Sequence, residues 1–171
     1  MENEIRIVLT GFMGVGKSSV ARHVANMAGT RRVDLDHVLE EREKRTIPEI
    51  IDTDGEEEFR RIETASLDHV LADPTVRVLS LGGGAWTTPV NREMLKKAGF
   101  TSIWLESSFE HCWLNITFSK KDRPLARNKE EAQRLFDERQ KTYCLADWHF
   151  VIRPDLTSYD VARQIIEEIF S

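Results

Sequence analysis

Cysteine is scarce in this chain of 171 residues: only Cys112 and Cys144 occur. Two thirty-two residues apart fit neither a metal-ligand spacing nor a disulfide framework, and both read as reduced, buried thiols of a cytoplasmic protein. With 5 prolines and 9 glycines, collagenous and low-complexity classes are excluded. Positive charge is in the minority, 24 Lys+Arg against 29 Asp+Glu, a net charge of −5. Duplex-binding surfaces need the opposite balance, so nucleic acid is not an expected partner. No apolar run approaches the ~20 residues of a membrane span. Ile5 to Leu9 is short and carries Arg6 inside it. Glu2 and Glu4, followed by a motif that starts at Gly11, leave no room for a secretory leader. No internal repeat or low-complexity linker is seen. What remains, 40% apolar and 31% charged residues, is the composition of one globular domain. At this length folding buries about 70% of the unfolded chain's surface, without help from metals or disulfides.

Short β-branched runs alternate with longer stretches of helical period. Ile5 to Leu9 reads as a buried strand, Lys17 to Met27 as a helix closing on Gly29, and Arg32 to Asp36 as a second strand ending in acids. Helices are expected at Leu35–Lys44 and Glu56–Leu71, the latter stopped by Asp73-Pro74. Val76 to Leu81 is a third strand, running into Gly82-Gly83-Gly84. Pro89 opens a helix to Ala98, capped by Gly99, and Thr101 to Leu105 is a fourth strand. Helices near 108–117 and 129–145, a strand at Trp148–Ile152 and a helix from Thr157 finish the pattern. Such alternation specifies an α/β fold with a mostly parallel sheet wrapped by helices.

Gly11-Phe12-Met13-Gly14-Val15-Gly16-Lys17-Ser18 matches G-x-x-x-x-G-K-[ST] between a strand and a helix start, where a phosphate loop must sit. Glycines let several N–H groups turn inward on one anion, and the helix adds its positive dipole end. Gly14, Val15, Gly16, Lys17, Ser18 and Ser19 are therefore the expected nucleotide contacts. Lys17 reaches the β- and γ-phosphates and Ser18 ligates Mg²⁺. A second acid is needed for the metal. Because the third strand ends in glycines, Asp34 and Asp36 are the candidates. On an extended chain their i,i+2 spacing puts both carboxylates on one side, one toward the metal and one toward a hydroxyl. The alternative is a solvated strand end with Asp36 capping the next helix. Gly82–Gly84 is either a close approach to a ligand or a flexible turn. Arg60 and Arg61 have Glu56 and Glu57 in range as surface pairs, and Arg123 lies in a basic, poorly periodic stretch suited to a flap. Arg139 in isolation is one more helical arginine.

Taken together, GFMGVGKSS, VDLD, GEEEFRRIE, VLSLGGGA, RPLA and ERQKTY, in this order, make the chain resemble shikimate kinase over nearly its whole length. The resemblance implies a P-loop NTPase-like three-layer sandwich of the nucleoside monophosphate kinase type. Its sheet has five mostly parallel strands, in a single kinase domain over residues 1–171. It implies a substrate-binding region at about 34–63 and a mobile lid at about 115–127. It also implies phosphorylation of the 3-hydroxyl of shikimate by ATP with Mg²⁺, in chorismate and aromatic amino acid biosynthesis, by a cytoplasmic monomer. By similarity Lys17, Asp36 and Arg123 are catalytic. Ser18 and Asp34 serve the metal, Asp34 through water. Arg60 and Arg139 clamp the substrate carboxylate, beside Asp36, Gly82 and Gly83. Arg123 is the lid arginine, and Arg153 lines the adenine.

The chain departs from the family pattern in Ala126, where a second leucine is common, and in Cys144-Leu145 after Tyr143, where Glu is frequent. Lys120 or Lys121 stands in for a second lid arginine, and Trp86 is bulky enough to narrow the site. Rival readings are another small-metabolite kinase of this fold, such as gluconate kinase, a nucleoside monophosphate kinase, or a non-catalytic nucleotide-binding module. A GTPase switch is disfavoured, since Asn128-Lys129-Glu130-Glu131 misses the Asp of the guanine-reading motif.

Overall fold

The computed structural model describes residues 5–170. Glu2 and Glu4, cited above against a leader, lie outside that range. Five strands, β1 (Arg6–Thr10), β2 (Arg32–Asp34), β3 (Val78–Ser80), β4 (Phe100–Glu106) and β5 (Trp148–Val151), form one parallel sheet in the order β2-β3-β1-β4-β5. Ile7, Val8 and Leu9 are wholly buried, as a central strand covered on both faces requires. In register they pair with Val78, Leu79 and Ser80 on one side and with Thr101, Ser102 and Ile103 on the other.

The helices are α1 (Lys17–Met27), α2 (Leu35–Glu43), α3 (Ile47–Asp54), α4 (Glu56–Leu71), α5 (Pro89–Lys97), α6 (Phe109–Phe118), α7 (Lys129–Tyr143) and α8 (Ser158–Ile165). From β1 the chain moves outward to β2, then returns through β3 and crosses to β4 and β5. Right-handed crossovers in opposite directions put their helices on opposite faces of a sheet. Accordingly α1 packs on α8, whereas α4 packs on α2, α3 and α5. The expected three-layer α/β architecture is present. The chain reverses direction beside β1, so the crevice at the carboxyl end of that strand is where an open sheet of this kind binds its ligands.

Three expectations need correction. Arg32–Asp36 is not all strand: β2 stops at Asp34, whose side chain caps α2 by accepting from the Asp36 and His37 N–H groups at 3.0 and 3.4 Å. Asp36 therefore stands in the first helical turn, and the alternation argument for the two carboxylates fails. Helix α3 was not anticipated. Its start is a capping box, with Thr46 Oγ1 accepting from the Glu49 N–H while Glu49 accepts from the Thr46 N–H, and Pro48 in the first turn. Finally, Cys112 is buried as expected but Cys144, the residue that ends α7, is exposed.

Beside the main core, Leu39, Ile47, Ile50, Phe59 and Ile62 form a separate apolar cluster that holds α2, α3 and α4 together. Another, built on Phe109, Ala126 and Ala132, anchors the chain around residues 124–126 to α6 and α7. The stretch expected as a lid is helical to Phe118, irregular from 119 to 123, and a single 3-10 turn over Pro124–Ala126.

Candidate active site

Strand β1 delivers the chain into a loop where Gly11, Gly14 and Gly16 all have positive φ. Gly14 is required twice over. Its φ is +82°, and a Cβ there would lie 2.6 Å from the Cys112 carbonyl oxygen of α6. The loop is tied to the same helix by Asn115, whose Nδ2 donates to the Gly14 carbonyl at 2.8 Å. Sequence reading gave Asn115 no role, because the contact spans 101 residues. The side chain of Val15 is buried and its N–H turns back to the Phe12 carbonyl at 3.2 Å, so Val15 shapes the loop from inside.

Lys17 opens α1 and folds back over the loop, donating to the Gly11 and Phe12 carbonyls at 2.7 and 3.0 Å. Burial lowers its pKa to about 8, with Asp36 opposing the shift. Helix α1 has neither a side-chain cap nor an acidic residue in its first turn, so its N-terminal N–H groups are left for an anion. Ser18 Oγ donates to Asp34 Oδ2 at 2.9 Å, which places hydroxyl and carboxylate side by side at the end of β2.

Across a cleft of about 400 Å³ from the phosphate loop lie Asp36, Arg60, Glu63, Arg123 and Arg139. Each glycine of the triplet faces one of them. A Cβ on Gly82 would sit 2.5 Å from Asp36 Oδ1, one on Gly83 2.9 Å from Arg139 Nη1, and one on Gly84 inside the Arg60 guanidinium. The triplet is thus a close approach, not a flexible turn. Asp36 Oδ1 and Arg139 Nη1 are buried without a hydrogen-bond partner. Burial raises the pKa of Asp36, with Lys121 the strongest opposing charge, and lowers that of Arg139. Arg60 Nη1 donates to Glu63 Oε1 at 2.8 Å and its other nitrogen lies 3.8 Å from Glu56. Glu63 is 1% exposed, and burial raises its pKa against the pull of Arg60. Glu63 is absent from the expected site, yet it fixes Arg60 from behind. Arg61 instead pairs with Glu58 at the surface, where Glu57 had been expected.

Arg123 reaches the cleft from the irregular segment, with Lys121 beside it. Arg127, just beyond, is paired with Asp122 and, across to α3, with Asp52 at 3.1 Å. Two expected residues fall elsewhere. Arg153 lies outside this cleft, in a second hollow with Ser108, His111 and Pro154, its Nε 3.9 Å from Asp155. The two spaces are linked by His111 against Asn115, 3.3 Å apart. Trp86 does not narrow the site: it is 5% exposed, packed away from the cleft, and donates Nε1–H to the Thr142 carbonyl at 3.0 Å.

A phosphate loop facing two guanidiniums and a buried carboxylate suits transfer of a phosphoryl group to a small anionic alcohol. Comparison with known proteins narrows this. The structure superposes on a shikimate kinase from Acinetobacter baumannii in complex with shikimate, with a TM-score of 0.87 and 33% identity over 99% of this chain and 94% of that one. A gluconokinase from Sinorhizobium meliloti shares the fold at a TM-score of 0.61 but only 15% identity. A shikimate kinase from Streptococcus thermophilus is 40% identical over 163 residues, 92% of this chain and 96% of that protein. Since the shikimate kinase family model also matches residues 13–170, the chain belongs to the shikimate kinase family.

Proposed function

We propose that the chain transfers the terminal phosphoryl group of ATP to the 3-hydroxyl of shikimate, giving shikimate 3-phosphate and ADP. The observation that carries this reading is a pair of buried, unpartnered polar atoms, Asp36 Oδ1 and Arg139 Nη1, in the cleft that the phosphate loop opens into. A buried acceptor and a buried cation left unpaired cost several kcal/mol between them, at roughly 1–3 kcal/mol each, and a hydroxylated carboxylate supplies the partner of both. It also explains the glycine triplet, which leaves the three charged side chains room to face the ligand.

Arg60 and Arg139 grip the shikimate carboxylate, and Gly82 and Gly83 let the ring approach the backbone. Asp36 accepts a hydrogen bond from the 3-hydroxyl. As the hydroxyl oxygen bonds to the γ-phosphorus, the bond from that phosphorus to the β–γ bridging oxygen breaks, and the hydroxyl proton passes to Asp36. The raised pKa of Asp36 makes it a better proton acceptor than an exposed carboxylate. Lys17 and Arg123 neutralise charge on the transferring group. Residues 14–19 hold the phosphates, and the hollow at Arg153 takes the adenine end. Ser18 Oγ and Asp34 Oδ2 fit a hard divalent cation such as Mg²⁺, offering a hydroxyl and a carboxylate and leaving other positions to phosphate oxygens and water. When bound with nucleotide, Mg²⁺ supplies further neutralisation of the β- and γ-phosphates. We place the reaction in the cytoplasm, in a monomer that draws every one of these residues from its own elements.

A coupled assay of ADP release, run with ATP and a panel of hydroxy acids including gluconate, tests this. Shikimate is expected to give by far the highest kcat/KM. Faster turnover of gluconate, or ADP release independent of any acid, removes the assignment.

A further inference from the structure

Arg60 is carried by α4 and Arg139 by α7, two helices joined through the segment that follows the glycine triplet. On one side Thr64 of α4, one turn beyond Arg60, donates Oγ1–H to Asn91 Oδ1 at 2.8 Å. Asn91 is fully buried in α5 and donates Nδ2–H to the Ala85 carbonyl at 2.9 Å. On the other side the Trp86 indole donates to the Thr142 carbonyl of α7. The next residue, Tyr143, is fully buried and donates its hydroxyl to the Gly83 carbonyl. The Trp86 carbonyl is itself held by Arg92 Nη1 at 2.7 Å. The Gly83 carbonyl is therefore committed to α7 and the Ala85 and Trp86 carbonyls to α5, so this short segment bridges the helices that carry the two arginines.

We propose that Asn91 and Trp86 form a brace that fixes the separation of the Arg60 and Arg139 guanidiniums, making them positioning residues for the substrate carboxylate. Neither touches the cleft. They act through helices α4 and α7. Planar carboxylate recognition by two guanidinium forks is sensitive to shifts well under an ångström, so loss of one strut loosens carboxylate binding before anything else. The phosphate loop has a tie of its own, from Asn115 of α6 to the Gly14 carbonyl, and the bonds made by the Asn91 amide and the Trp86 indole do not reach it. The inference rests on the assignment of Arg60 and Arg139 to the carboxylate.

The test uses Trp86→Phe, which keeps an aromatic ring but removes the N–H, and Thr64→Val, which removes the donor to Asn91 at nearly constant volume. KM for shikimate, KM for ATP and kcat are measured with shikimate and with its methyl ester, which carries no carboxylate charge, and thermal melts confirm folding. Each variant is expected to raise KM for shikimate roughly three- to tenfold, the span of one modest hydrogen bond. KM for ATP and kcat should stay within about twofold, and the penalty should vanish with the ester. An unchanged shikimate KM in both variants overturns the brace, as does a parallel rise in KM for ATP or an equal penalty on the ester. If the native protein fails to distinguish shikimate from its ester, the carboxylate clamp itself falls. If it distinguishes them while the folded variants do not differ from it, only the brace falls.

Discussion

Burial works against the charged form of several ionisable groups in the cleft. It lowers Lys17 and Arg139 and raises Asp36 and Glu63. These residues are held for ligands, at a cost to the free protein. Lys17 makes the point measurable. Its folded pKa of about 8 lies below its ordinary value of 10.5, so between these values the unfolded chain binds more protons than the folded one. Stability from this group is present above the higher value and is lost as pH falls through about 8. Bound phosphates reverse the sign by favouring the ammonium form. Above about pH 8 the free protein is therefore expected to take up a fraction of a proton on binding Mg-ATP, and to take up more as the pH rises toward the ordinary lysine value. Calorimetry in buffers of different ionisation enthalpy reads this directly. Binding without proton uptake in that range would mean that Lys17 does not meet the phosphates.

Among the elements, the two glycine turns impose different demands on their surroundings. At Gly83 the backbone φ is ordinary and an added methyl would press at 2.9 Å on the Arg139 head group, a side-chain end, while Met13 N and Gly11 O of the phosphate loop lie at ordinary contact distances of 3.4 and 3.8 Å. At Gly14 the φ is +82° and the methyl would meet the Cys112 carbonyl of α6, which is backbone and cannot step aside. Gly83→Ala is expected to fold with a melting temperature within a few degrees of the native protein while raising KM for shikimate about tenfold or more through displacement of Arg139. Gly14→Ala should instead lower the melting temperature clearly and raise KM for ATP, since strain and clash add at one backbone site. Thermal melts beside steady-state kinetics separate the two. The same pattern in both variants would mean that the triplet serves the fold and not the ligand. Helix α3 shows the third element-scale device: with α2 and α4 it has its own apolar cluster, and the exposed pair Arg127–Asp52 ties it to the segment carrying Arg123. An exposed pair of this kind contributes little to holding a junction together.

Across the whole molecule, the parts legible in the sequence are those that a local rule specifies. The strand–helix alternation, the phosphate loop and the helix from Lys17 to Met27 follow from periodicity and glycine placement. The remainder depended on approach in space. Asp34 and Asp36 were the right residues for the cleft by a mistaken route, because a side-chain cap ends β2 two residues early. The signal for α3, Thr46-Ile47-Pro48-Glu49, is present in the chain and went unread. Asn115 and Tyr143 carry no local mark, since their partners are set by how α6 and α7 meet the loops, whereas Glu63 stands three residues from Arg60 on one helix and only its burial is hidden from the sequence. Trp86 belongs with Asn115 and Tyr143: its bulk says nothing about which way the turn after the glycine triplet sends it, and it points into the core. The resemblance to a family supplied what local rules do not, namely which arginines act together.

The proposed reaction needs one cleft to hold the alcohol of a cyclic acid in line with the terminal phosphorus of ATP. A crystal structure with shikimate and a non-hydrolysable ATP analogue measures it most directly. The expected result has the 3-hydroxyl oxygen roughly 3–3.5 Å from the γ-phosphorus. Asp36 should lie within hydrogen-bond reach of that hydroxyl, and Arg60 and Arg139 should sit on the carboxylate. A ring seated with its hydroxyl turned away from the phosphorus, or with both arginines facing solvent, would contradict the account.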